Sequence, residues 1–163
     1  MLKQFLLLLA LCLLLATTTH SAELAGRVVW VYDGDTLKIE DIGKVRLIGI
    51  DTPESKASSR DRFYTKKYPI TAKKLRKIAR QAKNYNIQNV KDRRVTLELD
   101  HVHRDKYDRL LAYVYLPDGR ILNRILLQKG LASVFRRYDF RYKKDFLKIE
   151  KKAQKKQLGL WQQ

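Results

Sequence analysis

The stretch 44–55, Lys-Val-Arg-Leu-Ile-Gly-Ile-Asp-Thr-Pro-Glu-Ser, constrains the fold more than any other part of this sequence. Val45, Leu47, Ile48 and Ile50 have the β-branched and aliphatic density of a strand. Pro53 ends it by removing a backbone donor and holding Thr52 extended. Three ionisable groups stand where a buried strand should carry none: Arg46 inside it, Asp51 at its exit and Glu54 just past the proline. Burying a lone charge is expensive unless it is paired or solvated. Charges gathered at a strand exit therefore point to a site. A surface-facing arginine followed by a polar turn is the plainer alternative, and this stretch alone leaves both open.

Around that stretch the pattern is one of short strands. Residues 26–32 read as a strand, Asp33-Gly34 as a tight turn and 36–39 as the return strand, after which Gly43 leads into 44–50. Residues 55–69 are polar and basic without periodicity and read as an exposed loop. From the capping residue Thr71, apolar positions at Ala72, Leu75, Ile78, Ala79 and Ala82 predict a helix. Residues 84–92 break that pattern and read as a loop. Residues 94–100 alternate, with Val95, Leu97 and Leu99 on one face, and 110–116 form a more continuously apolar strand. Leu122, Ile125 and Leu126 mark a short helix closed by Gly130. Residues 142–157 form a lysine-rich helix with Phe146, Ile149 and Ala153 on a narrow apolar face. Five short strands with a helix between the third and fourth predict an α+β fold, mostly β: a five-stranded OB-type barrel with three helices. Basic barrels of this type bind single-stranded nucleic acid or oligosaccharide, and the fold alone does not choose between them.

Charge bears on that choice. The 163 residues suit one domain, and 35 Lys+Arg against 17 Asp+Glu give a formal charge of +18. Such an excess favours a polyanionic partner, either nucleic acid or an anionic membrane surface. Residues 1–22 stand apart from the fold. Lys3, the apolar run from Phe5 to Ala16, and small or polar residues up to Ala22 read as a secretory signal peptide cut after Ser21 or Ala22. The apolar run is shorter than the ~20 residues that a membrane span needs. The expectation is a secreted or periplasmic protein whose folded domain is 23–163. The leader carries Cys12, the only cysteine, so the mature domain must be stable without an internal disulfide.

Candidate chemistry collects in three segments. Asp33 and Asp35 are two apart, which puts both carboxylates on one side of an extended chain, although Asp-Gly is also a common hairpin turn. In a meander the third strand ends on the same side as the first turn, so Asp35 and Asp51 can converge. Two carboxylates with a backbone carbonyl and waters suit a hard cation such as Ca²⁺ or Mg²⁺. His101 and His103 do not amount to a zinc ligand set and read as solvated loop residues. Strict alternation puts Arg46 and Asp51 on opposite faces, so the strand end must bend for both to serve one site. Arg109, at the mouth of the 110–116 strand, offers a planar cation to a phosphate, or else answers the aspartates beside it.

Asp-Gly-Asp-Thr at 33–36, Arg46 followed by Asp-Thr-Pro-Glu at 51–54, and Asp-Lys-Tyr-x-Arg-x-Leu-Ala-Tyr at 105–113 stand in order along the chain. The series resembles the staphylococcal nuclease (thermonuclease) family. The resemblance continues through Gln-Lys-Gly-Leu-Ala at 128–132 to Leu-Gly-Leu-Trp at 158–161. It implies an OB barrel with three helices and a Ca²⁺-dependent phosphodiesterase acting on DNA and RNA and leaving 3′-phosphate ends. It further implies that Asp35, Asp51 and the Thr52 carbonyl hold the calcium, with Asp33 close behind. Arg46 and Arg109 would grip the scissile phosphate and stabilise transition-state charge. Glu54 would orient or deprotonate the attacking water, and Lys106 and Tyr107 would contact the nucleotide. Single-stranded DNA and RNA are the expected substrates of a monomer with no stable membrane association once the leader is cut. The sequence also departs from the family. Asp108 stands where glycine is usual, Arg136 and Arg137 stand where a stacking tyrosine is common (with Tyr138 next to them), and 84–92 resembles an insertion.

Two other classes compete. A non-catalytic nucleic-acid-binding module on the same fold would lose its acidic residues and arginines, and Asp35, Arg46, Asp51, Glu54 and Arg109 are all present. A membrane-active basic protein would use the 142–157 helix, whose narrow apolar face suits packing on a barrel better than insertion.

Overall fold

The apolar alternation of the N-terminal third becomes a meander: β1 (Ala25–Val31), β2 (Thr36–Ile39) and β3 (Gly43–Leu47) pair antiparallel in sequence order. The computed structural model describes residues 24–162, so the signal peptide expected at 1–22 lies outside the described residues. Two further long strands, β5 (Arg94–Arg104) and β6 (Leu110–Tyr115), pair with each other; β6 runs parallel to β3 and β5 antiparallel to β1. The result is a closed barrel in the order β1-β2-β3-β6-β5. Inward-facing Val28, Leu37, Ile39, Val45, Ala112 and Val114 are completely buried within it. The α+β barrel of five strands is as the sequence predicts.

Four helices are described: α1 (Asp61–Lys67), α2 (Ala72–Val90), α3 (Leu122–Gln128) and α4 (Lys143–Lys155). The last three are the helices expected from periodicity. Leu75, Ile78 and Ala82 form the buried stripe of α2, and Phe146 and Ala153 that of α4. Among the described residues no helix is long and apolar enough to cross a membrane.

The structure departs from the sequence pattern at three stretches. Residues 55–69 are not simply an exposed loop, because α1 lies within them and buries Tyr64. Side-chain bonds hold the turn that leads into it: Ser58 N–H donates to Asp61 Oδ2 (3.4 Å) and Arg60 N–H to Ser58 Oγ (3.2 Å). Residues 84–92 are mostly helix, because α2 runs on to Val90 with buried Asn86 in the place of an apolar residue. The stretch 44–50 is not one strand. It breaks after Leu47 at Gly49, whose φ of +78° is accessible at little cost only without a side chain, and resumes as β4 (Ile50–Asp51). The short strand β4 pairs antiparallel with β7 (Ser133–Val134). This break is the bend that lets Arg46 and Asp51 share a site.

Candidate active site

Two turns meet at one corner of the barrel. The first, between β1 and β2, is held by Asp33, whose Oδ1 accepts the Asp35 N–H at 2.9 Å. Gly34 is needed here for close approach: a Cβ would lie 2.7 Å from Ala82 Cβ and 2.8 Å from the Thr52 side chain. Asn86 of α2 braces the same turn, its Nδ2 donating to the Gly34 carbonyl at 2.9 Å. The second turn is the β3–β4 break. Thr52 N–H and Oγ1–H both donate to Asp35 Oδ2, each at 2.8 Å, and so tie the two turns together.

Arg46 stands between the two buried carboxylates. One guanidinium nitrogen lies 2.6 Å from Asp35 Oδ1 and another 3.2 Å from Asp51 Oδ1, and the latter also donates to the Ile50 carbonyl at 3.1 Å. The other oxygen of Asp51 meets Arg60 at 2.5 Å and the Tyr64 hydroxyl, which donates at 2.9 Å. Arg109 reaches the same group from the start of β6, the strand next to β3. Its Nη1 donates to Thr36 Oγ1 at 3.4 Å, and that hydroxyl donates to Asp35 Oδ1 at 3.2 Å. Its other nitrogens grip Asp105 Oδ2 at 2.7–2.8 Å.

The acids are crowded. Burial, then the neighbouring Asp35 charge, pushes the Asp33 carboxyl up to about 6. Burial and Asp35 also push Asp51 up, opposed by Arg46 and Arg60. Glu54 is exposed at the rim, and partial desolvation with the Asp35 and Asp51 charges raises its pKa. The corner thus combines carboxylates that resist full ionisation with planar cations and a carboxylate open to water.

Residues 44–163 match the family described as staphylococcal nuclease homologue. The chain belongs to the staphylococcal nuclease family. A thermonuclease of Staphylococcus intermedius is 37% identical over 136 residues, covering 81% of this chain and 73% of its own. A protein named as an uncharacterised endonuclease in Escherichia coli is 32% identical over 143 residues, covering 86% and 78%. An uncharacterised protein of Methanocaldococcus jannaschii is 34% identical over 147 residues, covering 83% and 70%.

Membership of the staphylococcal nuclease family gives the 105–109 loop its context. Asp108 has a φ of +59°, the left-handed region that favours glycine. Its carboxylate turns outward, 86% exposed, and pairs with Arg104 at 3.3 Å, away from Arg109. Tyr107 is 68% exposed, with Lys106 Nζ 4.9 Å and the Arg109 guanidinium 5.5 Å from its ring centre. Arg136 is taken up by Glu150, whereas Tyr138 is exposed with its ring 5.7 Å from Phe135, which in turn lies 5.9 Å from the Arg60 guanidinium.

All the anticipated residues at 33–54 therefore come together, and Arg109 joins them through Thr36. Three further residues of the corner were not anticipated from the sequence: Arg60 and Tyr64, which grip Asp51, and Asn86. A signal was present: Ser58 and Asp61 have capping spacing, and Tyr64 and Tyr68 lie one helical turn apart. Among the described residues no three His, Cys, Asp or Glu side chains gather into a metal cage. A cation here would rest on Asp35, Asp51, backbone oxygens and waters. That all-oxygen set fits a hard ion, and its few protein ligands suit the loose coordination of Ca²⁺.

Proposed function

We propose that this protein is a secreted, Ca²⁺-dependent endonuclease that hydrolyses phosphodiester bonds in single-stranded DNA and RNA, acts as a monomer and leaves 3′-phosphate ends. The observation that carries this reading is the Arg46 guanidinium shared by buried Asp35 and Asp51, with Arg109 joined to Asp35 through Thr36. It supplies oxygen ligands and planar phosphate donors in one place. The staphylococcal nuclease relatives, thermonucleases among them, support the same class.

Ca²⁺ held by Asp35, Asp51 and the Thr52 carbonyl would supply Lewis-acid charge to a phosphate oxygen. The chain's own residues perform the rest. Glu54 orients a water and takes its proton, and its raised pKa brings it nearer the working pH of a general base. Water attacks phosphorus, the bond to the 5′-oxygen breaks, and that oxygen leaves as an alkoxide that takes a proton from solvent, while Glu54 returns its own proton to solvent. Arg46 and Arg109 donate to the equatorial oxygens as charge builds on them, already oriented by Asp35, Asp51 and Asp105. Lys106 and Tyr107 receive the nucleotide on one side, and Tyr138 offers an exposed ring on the other. Incubation with end-labelled single-stranded DNA and RNA tests the reading. Internal cleavage with 3′-phosphate ends is expected; tight binding without cleavage would favour the binding module instead.

A further inference from the structure

Helix α2 has two working faces. Leu75, Ile78, Ala82 and Asn86 are buried, and through Ala82 and Asn86 this face supports the turn that carries Asp33 and Asp35. The outer face carries Lys73, Lys77 and Arg80 at spacings of four and three, followed by Gln81, Asn84 and Gln88. It forms one wall of a groove of about 1340 Å³, whose opposite side includes Arg120, Gln128, Lys129 and Leu158. None of the residues at the barrel-corner site lines this groove, and neither does any aspartate or glutamate.

Its cations are largely unanswered. The 19-residue helix holds six lysines and arginines and no acid, and among the described residues only Arg76 of these has an acidic partner, Asp61. Among the described residues Lys73, Lys77, Arg80 and Lys129 form no ion pair. Like charges facing one concave space repel each other and are stabilised there by a polyanion. The groove also offers amides for hydrogen bonds and the Tyr85 ring, with Lys129 Nζ 5.0 Å from its centre. A membrane surface would need an apolar face, and among the described residues Leu158 is the only large exposed hydrophobic side chain that lines the groove.

We propose that this groove is a second nucleic-acid site, which holds the phosphodiester backbone of a single strand away from the phosphate being cleaved. It rests on the nuclease reading only for the identity of the polyanion. The test replaces Lys73, Lys77, Arg80 and Lys129 together with glutamine, which keeps helix propensity at exposed positions. Binding of a 24-nucleotide single strand is measured by fluorescence anisotropy in EGTA, over a salt series. The control is Lys144→Gln, Lys148→Gln, Lys151→Gln and Lys155→Gln on α4, which removes the same charge elsewhere. The groove variant should lose roughly tenfold in affinity, with its salt slope smaller by about 3, close to 0.7 per lost phosphate contact. The control should change much less, and cleavage of a trinucleotide should be the same in both. Unchanged affinity, or equal losses in groove variant and control, would overturn the proposal. So would loss of binding to phosphatidylglycerol vesicles with oligonucleotide binding intact, because the groove would then serve a membrane. Since EGTA removes the need for turnover, an inactive protein would sink the nuclease reading and still leave the groove measurable.

Discussion

Two clusters in this protein bury a carboxylate against arginine, and they are built on different terms. At Glu150 one buried acid meets one guanidinium: Arg136 contacts both oxygens, and the Val134 N–H adds a donor at 2.8 Å. Charges there are matched, and the cluster fastens α4 to β7. At the barrel corner Asp33, Asp35, Asp51 and Glu54 crowd around Arg46 and Arg60, and burial with mutual repulsion raises Asp33, Asp51 and Glu54. The first cluster needs nothing added. The second is short of positive charge, and under the proposed function that shortage would be met by a bound cation, with Arg46 and Arg109 left to meet the phosphate.

Removing an arginine from each cluster should sharpen the contrast. Arg109→Ala should lower kcat by about 10²-fold or more, the loss typical of a preorganised transition-state donor, with little change in melting temperature. Arg109→Lys should restore little, because it keeps charge and loses the planar fork. Single-turnover cleavage of a short labelled oligonucleotide reads both. Arg46→Ala should lose as much activity and also stability, since it leaves two buried carboxylates less compensated.

Glu150→Ala is the mirror experiment. It strands Arg136 and the Val134 N–H and should cost about 3 kcal/mol in urea unfolding, with kcat per folded molecule unchanged. A large fall in kcat with normal stability would break the comparison.

Asp33→Asn should show a smaller effect with a definite sign. The folded-state pKa of about 6 lies above the ordinary 3.8, so the wild type loses stability as pH rises through that window. Without metal, the variant should gain about 1–2 kcal/mol relative to wild type between pH 4 and 7. A flat difference in melts across that range would contradict it. Asp108→Gly should do least: stability within about 0.5 kcal/mol, since the positive φ is relieved and an exposed ion pair lost, and a rate unchanged or raised. A marked fall in that rate would show that Asp108 assists Arg109.

Much of the barrel was legible because its strands carry period-two or continuous apolar patterns, and turns at Asp33-Gly34 and Gly43 separate them. The site motifs were legible because charge inside an apolar strand demands a reason. What escaped has a common cause. Helix α1 offers little more than Tyr64 as a fully buried side chain, too little for periodicity to show, and the second half of α2 buries Asn86 where a pattern search looks for an apolar residue. The bend at Gly49 was required by the faces of Arg46 and Asp51, but its place depends on a backbone conformation that composition does not display.

The most direct measurement is cleavage of a single-stranded oligonucleotide by the wild-type protein with Ca²⁺, with Mg²⁺ and in EGTA with no other metal. Turnover with Ca²⁺, little with Mg²⁺ and none in EGTA is the expected result, because two carboxylates and a few backbone oxygens suit the looser ion. Full turnover in EGTA would contradict it, for Asp35 and Asp51 would then serve only to position Arg46.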